Sequence, residues 1–127
     1  MGILLADDQP EVRRALVALL NRQPGLRVVG EAVDAADLLA QVEAVKPRTI
    51  LLDWELPGRT QISLIPALRG ARPGLIVIAL SGRPEARRAA LKAGVDAFVS
   101  KSDPPEKLLE TIELVGANGA SANRDAS

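Results

Sequence analysis

The sequence predicts an α/β protein in which five strand-then-helix units wind on both faces of a parallel sheet. Short apolar runs alternate with stretches of helical period, and turn formers, Pro and Gly above all, punctuate the boundaries. The runs are also continuously apolar and rich in Ile, Val and Leu, as strands covered on both faces must be, whereas a half-exposed strand would alternate with polar residues. At 127 residues with 47% apolar content, the chain suits one domain with a real core.

The elements follow in order. Ile3–Ala6 is the first strand. Pro10 to Arg22 repeats Val12, Leu16, Leu19 and Leu20 at helical spacing; Pro10 suits a first helical turn, and Gln23-Pro24-Gly25 stops the helix. The run Leu26–Ala32 is the second strand. Asp34 caps a helix from Ala35 to about Val45, with Leu38, Leu39 and Val42 inward and Lys46-Pro47 at its end. Thr49–Leu52 is the third strand, followed by Asp53 and a Pro57-Gly58 turn. Ile62, Leu64, Ile65 and Leu68 mark a third helix to Gly70, where Pro66 is expected to kink the helix or disturb its start. Leu75–Leu80 is the fourth strand, a helix from about Pro84 to Ala93 closes at Gly94, and Ala97–Ser100 is the fifth strand. A last helix begins at Pro104 or Pro105 and reaches Val115. Residues 1–116 form the domain, and 117–127, without apolar period, read as a flexible tail or truncated linker.

Right-handed crossovers leave few topologies for such a chain. The flavodoxin-like doubly wound order 2-1-3-4-5 reverses its winding between strands one and three, and ligands bind at the carboxyl ends of strands at such a reversal. Those two strands end in acids: Asp7 and Asp8, and Asp53. Ser81 and Lys101 follow the fourth and fifth strands on the same edge. Taken singly, Asp8 reads as a helix cap, Asp53 as a turn residue, Ser81 as part of a turn and Lys101 as a solvated lysine. Together they do not, because converging carboxylates repel one another and cost stability unless a cation offsets them.

Composition limits the chemistry available to that edge. With neither Cys nor His, the chain has no disulfide, no thiolate chemistry, no Ser-His triad and no zinc site of the usual ligands, so any metal would be a hard cation held by oxygen. Sixteen basic residues balance sixteen acidic ones, which gives no electrostatic drive toward direct nucleic-acid binding. Without a basic leader or a run of membrane-spanning length, the expectation is a cytoplasmic protein that does not bind membranes.

The ordered set Asp7-Asp8, Leu51-Leu52-Asp53-Trp54-Glu55-Leu56-Pro57-Gly58, Ser81 and Lys101 resembles a response-regulator receiver domain of two-component signalling, over about residues 3 to 115. Val28-Val29-Gly30-Glu31-Ala32 and Lys101-Ser102-Asp103-Pro104-Pro105-Glu106 resemble, more narrowly, receivers that precede a helix-turn-helix output domain. The resemblance implies that Asp53 accepts a phosphoryl group from a partner histidine kinase. It implies Mg²⁺ held by Asp8, Asp53 and the Glu55 backbone carbonyl, with Asp7 acting through water. Lys101 and Ser81 would stabilise the phosphoryl group, and Phe98 would be the switch aromatic, although a core-packing role explains Phe98 equally. Glu55 and Arg83 flank the site and would modulate access of water, pairing across its entrance. The face formed by helix four, strand five and helix five would be read by partners, and its charges permit a homodimer, although a solvated surface explains them as well. DNA would be reached only through an output domain outside this chain.

The sequence departs from the family at two places. Ser102 follows Lys101 where the family often has Pro with a cis bond, and a cis peptide before a non-proline residue costs about 2.5–4 kcal/mol. Pro66 inside the third helix is also unusual. The rival class is an enzyme, a phosphatase of haloacid-dehalogenase type, which Asp53-Trp54-Glu55, Ser81 and Lys101 imitate; its last acids, however, should follow the lysine, and here they come first. A flavin-binding module fits poorly, because a cofactor phosphate would meet carboxylates. An unphosphorylated receiver-like scaffold would have no need of the full set. The expectation is a signalling protein and not a multiple-turnover enzyme.

Overall fold

The apolar runs pair as one parallel sheet because each offers bulky side chains to both faces and helices cover both. The computed structural model describes the backbone of residues 1–126 and the side chains of residues 1–116. In chain order the elements are β1 (Gly2–Ala6), α1 (Pro10–Asn21), β2 (Arg27–Ala32), α2 (Ala35–Val45), β3 (Thr49–Asp53), α3 (Gln61–Ala71), β4 (Ile76–Ser81), a 3₁₀ turn (Pro84–Ala86) running into α4 (Arg87–Lys92), β5 (Ala97–Ser100) and α5 (Pro105–Ala126). The strand order is β2-β1-β3-β4-β5, all parallel, as the sequence predicts.

Alternation along the strands divides the core in two. Ile3, Leu5, Leu51, Ile78, Leu80 and Val99 pack with Leu20, Leu108 and Ile112, on the side of α1 and α5. On the opposite face Leu4, Ile50, Leu52, Val77 and Phe98 pack with Leu38, Leu64, Leu68 and Ala90, from α2, α3 and α4. Leu4, Leu38, Leu52, Leu64 and Leu68 are fully buried. Truncating any of them to Ala costs about 2–5 kcal/mol, through lost transfer energy and the cavity left behind.

The caps show why the elements stop where they do. Asp34 accepts the Asp37 backbone N–H at 2.8 Å and Thr60 Oγ1 accepts that of Ser63 at 3.3 Å, so α2 and α3 both open on side-chain caps. Lys46 ends α2 in the left-handed region at φ 50°, just before Pro47. Gly58, at φ 108°, lets the loop after β3 lean on α2, where a Cβ would sit 3.3 Å from the Ala35 nitrogen and the Pro57 carbonyl accepts the Ala35 N–H at 3.0 Å.

Three expectations are corrected or extended. Pro66 does not interrupt α3, which is unbroken from Gln61 to Ala71; the carbonyl deprived of its partner belongs to Ile62, which is 77% exposed and open to water. The fourth helix is split, because Pro84 opens a 3₁₀ turn closed by the Ala86 N–H on the Arg83 carbonyl at 3.0 Å before α4 begins. α5 runs beyond Val115 to Ala126, in a stretch rich in Ala and free of Pro. The tail expected over 117–127 falls on residues whose side chains lie outside those described. Among the described residues no helix is long and apolar enough to cross a membrane.

Candidate functional site

Register brings the acids together. Ala6 pairs with Leu52, so Asp7 and Asp53 leave their neighbouring strands at one level, and Asp53 itself pairs with Leu80, one residue before Ser81. Ser81 pairs with Ser100, which sets Lys101 beside it, and the Lys101 N–H donates to the Ser81 carbonyl at 2.8 Å. Carboxylate oxygens of Asp7, Asp8 and Asp53 lie within 4.8 Å of one another. Asp7 and Asp53 are buried and Asp8 is exposed, so the cluster has two fixed members and one that faces solvent.

Asp8 does not cap α1. The cap position belongs to Gln9, whose side chain makes no capping bond, which removes the structural explanation for an acid at residue 8. Asp7 is held on both oxygens, with the Gln9 N–H donating to Oδ1 at 2.9 Å and the Lys101 ammonium to Oδ2 at 2.9 Å. At Asp53 both contacts fall on Oδ1: the Glu55 N–H at 3.0 Å and the Lys101 Nζ at 3.4 Å. Among the described residues that leaves Oδ2 of Asp53 free to react.

Electrostatics follow from this crowding. Burial pushes the Asp53 carboxyl above the usual aspartate value, and the charges of Asp7 and Glu55 add to the rise, against the Glu55 N–H and Lys101. For Lys101, burial alone would lower the ammonium, but the hydrogen bond to Asp7 and the charges of Asp53 and Asp7 outweigh it and raise the value. An all-oxygen cluster with a single nearby ammonium carries excess negative charge. It therefore suits a hard divalent cation.

Over residues 3–113 the sequence matches the response regulator receiver domain family. The chain belongs to that family. The transcriptional regulatory protein DesR of Bacillus subtilis is 30% identical over 115 residues, covering 91% of this chain and 58% of DesR. The nitrate/nitrite response regulator protein NarL of Escherichia coli K12 is 32% identical over 117 residues, with 91% and 54% covered. DevR/DosR of Mycobacterium tuberculosis, a DNA-binding transcriptional activator, is 37% identical over 117 residues, again with 91% and 54% covered. The chain thus spans about half the length of these curated relatives. Among solved structures, a LuxR-family two-component response regulator from Aurantimonas sp. superposes with a TM-score of 0.84 at 30% identity, covering 92% of this chain and 85% of that one. The response regulator domain of Thermotoga maritima CheB gives 0.80 at 26%, covering 91% and 95%.

Within this receiver, the remaining residues of interest lie around the acid cluster. Phe98 is buried in the core on the α4 side, with the Arg87 guanidinium 5.6 Å from its ring centroid. Glu55 and Arg83 do not pair. The Glu55 carboxylate takes the Ser81 hydroxyl at 2.9 Å, and Arg83 faces Glu85 at 3.7 Å. A Cβ added at Gly82 would meet nothing within 4 Å, so the backbone beside Ser81 is open. Among the described residues no peptide bond is cis; instead the Asp103 N–H donates to the Ser100 carbonyl at 3.0 Å and the Ser100 N–H to Asp103 Oδ2 at 3.1 Å, a tight turn that carries Lys101.

Sequence reasoning missed Gln61. Its Nε2 donates to the carbonyls of Trp54 and, at 3.3 Å, of Leu56, the two residues flanking Glu55, while its Oε1 is buried without a partner among the described residues. The available signal was an amide at the first position of a helix that follows a Pro-Gly loop.

Proposed function

We propose that this receiver accepts a phosphoryl group on Asp53 from a partner histidine kinase, in a Mg²⁺-dependent reaction, and passes the change to the α4-β5-α5 face. The observation that carries the reading is the convergence of Asp7, Asp8 and Asp53 within 4.8 Å, with Lys101 bound between the two buried acids. Asp53 Oδ2 attacks phosphorus as the bond to the donor's imidazole nitrogen breaks, and the electron pair stays with the imidazole. No His is present in this chain, so the donor comes from outside.

Positioning and charge neutralisation govern such transfers. Mg²⁺ would be held by the carboxylates of Asp8 and Asp53 and the Glu55 carbonyl, with Asp7 acting through water, and would supply neutralisation of the phosphoryl oxygens. Lys101, 3.4 Å from Asp53, is placed to follow the new charge, and Ser81 has a hydroxyl to donate to it. Phosphorylation adds about 1.5–2 negative charges at this edge. Phe98, on the strand that carries Lys101, is the aromatic through which the change would reach α4. The exposed cations Arg87, Arg88 and Lys92 and the exposed acids Glu106, Glu110 and Glu113 give that face charges suited to a homodimer.

Residues 1–116 act as the receiver and 117–127 as a connector. Because these curated relatives are about twice as long, and DesR and DevR/DosR are named as transcriptional regulators, output on DNA through a segment outside this chain is the best-supported use. No observation favours the phosphatase reading. Incubation with acetyl phosphate and Mg²⁺ should add one phosphoryl group, mapped to Asp53, and Asp53→Asn or EDTA should abolish it. Labelling elsewhere, or multiple turnover of a phosphate ester, would overturn the proposal.

A further inference from the structure

Glu55 supplies more to the site than a backbone carbonyl. Ser81 is fully buried and has one hydroxyl proton, and both oxygens of the Glu55 carboxylate lie within reach of it, at 2.9 and 3.0 Å. The hydroxyl oxygen is already used as an acceptor, taking the Arg83 N–H at 3.0 Å. Its hydrogen-bonding capacity toward a phosphoryl oxygen is therefore spent on Glu55.

We infer that the Glu55 side chain is an internal competitor for the Ser81 hydroxyl, a latch that must release before the phosphoryl group on Asp53 can take that donor. The inference rests on the phosphoacceptor reading above and adds to it a residue that opposes the phosphorylated state. Glu55 is anchored at its backbone, whose N–H binds Asp53 Oδ1 at 3.0 Å, so the carboxylate can swing away without displacing the acceptor. There is room for it: a cleft of about 360 Å³ lined by Trp54, Glu55, Thr60, Gln61 and Arg83 opens beside the site. Charge drives the same movement, because a phosphoryl group places about 1.5–2 negative charges next to a carboxylate that the site already crowds. Arg83 lines the same cleft and is exposed, and its long 3.7 Å contact with the equally exposed Glu85 is weak enough to exchange for the released carboxylate. Release would therefore change the surface around Trp54 and Arg83 each time Asp53 is phosphorylated.

The latch makes Glu55 a positioning residue that acts through Ser81, which a double-mutant cycle can isolate. Beryllofluoride affinity with saturating Mg²⁺, read by fluorine NMR, is measured for the wild type, Glu55→Ala, Glu55→Gln, Ser81→Ala and the Glu55→Ala/Ser81→Ala pair. A hydrogen bond to a charged group is strong enough that freeing Ser81 should tighten binding about tenfold in Glu55→Ala. Glu55→Gln keeps a weaker acceptor and should gain about threefold. In the Ser81→Ala background the gain should fall below about twofold, since nothing is left to release. Glu55 is exposed, so its variants should fold, and thermal melts confirm this for all five proteins. Wild type that binds beryllofluoride, with Glu55→Ala binding no tighter, overturns the latch alone. An undiminished gain in the Ser81→Ala background also overturns it, because Glu55 would then act by charge repulsion without Ser81. Wild type that fails to bind overturns the phosphoacceptor reading and the latch with it.

Discussion

Replacing Asp53 by Asn should make the metal-free protein more stable. The Asp53 carboxylate is 3% exposed, faces the charges of Asp7 and Glu55, and has only a 3.4 Å contact with Lys101, which binds Asp7 more closely at 2.9 Å. Asparagine keeps Oδ1 as acceptor for the Glu55 N–H and removes the buried charge, while Lys101 retains Asp7. The net gain is about 1 kcal/mol, the surplus of relieved desolvation and repulsion over a long ion pair. With roughly 2.1 cal/mol/K of unfolding entropy per residue, a chain of 127 residues gains about 4 °C in melting midpoint per kcal/mol. The gain should vary with pH. The folded state holds the Asp53 proton where the unfolded chain has lost it, so wild-type stability falls as pH rises from the ordinary aspartate value through the raised one, then stays level. Asp53→Asn lacks that fall. Calorimetry in EDTA at a series of pH values, repeated with Mg²⁺, supplies the test. A divalent ion bound to the native state alone stabilises by RT ln(1 + [L]/Kd), about 2.7 kcal/mol at a hundred times Kd, and should favour the wild type enough to erase or reverse the difference. Asp53→Asn melting lower than wild type in EDTA, or Mg²⁺ raising both equally, would refute the reasoning.

Two further outcomes follow from the same contacts. Lys101→Met should destabilise the metal-free fold by about 2–3 kcal/mol, because it leaves Asp7 buried beside Asp53 without a counter-charge. That cost should shrink in alkaline solution, since the raised Lys101 value means its stabilisation is complete below the ordinary lysine range and lost as pH climbs through the raised one; urea titrations of both proteins at neutral and alkaline pH measure it. Gln61→Ala frees the carbonyls of Trp54 and Leu56 and should loosen the peptide between them, weakening Mg²⁺ binding by about tenfold, the low end for groups that orient metal ligands, because Gln61 holds the neighbours of Glu55 and not Glu55 itself. Trp54, the single Trp of the chain, reports that titration by fluorescence.

The sheet and its acidic edge were legible because the signals that specify them are one-dimensional. A continuous run such as Thr49–Leu52 reads as a doubly covered strand, the crossover rule leaves few arrangements of its neighbours, and in any parallel arrangement Asp53 lies on the carboxyl edge of the sheet. The cap at Asp34 was equally visible, since capping depends on one side chain and the residues just after it. Side-chain partners across the edge were not. Glu55 and Ser81 are 26 residues apart and meet only because β3 and β4 pair, and whether Glu55 turns to Ser81 or to Arg83 depends on a rotamer that no periodicity encodes. Pro66 misled for the converse reason. The rule that proline breaks a helix concerns a lost bond and a clash, and here the orphaned carbonyl lies at exposed Ile62 while Leu64, Ile65 and Leu68 hold the helix on the core.

Lys101 makes the two buried acids unequal. Its closer bond to Asp7 satisfies the acid that sits deepest, 1% exposed, and its longer contact at Asp53 falls on the oxygen already bound by the Glu55 N–H. One buried carboxylate is thereby fixed on both oxygens and the other on one. A single ammonium serving two acids cannot fully offset either, so the fold retains uncompensated charge at the edge where the winding reverses, and a divalent cation or a transferred phosphoryl group changes the free energy most at that edge. The instability predicted for the metal-free carboxylate and the reactivity proposed for it thus have one cause, the free Oδ2 of Asp53 held in a buried, acid-rich corner of the sheet.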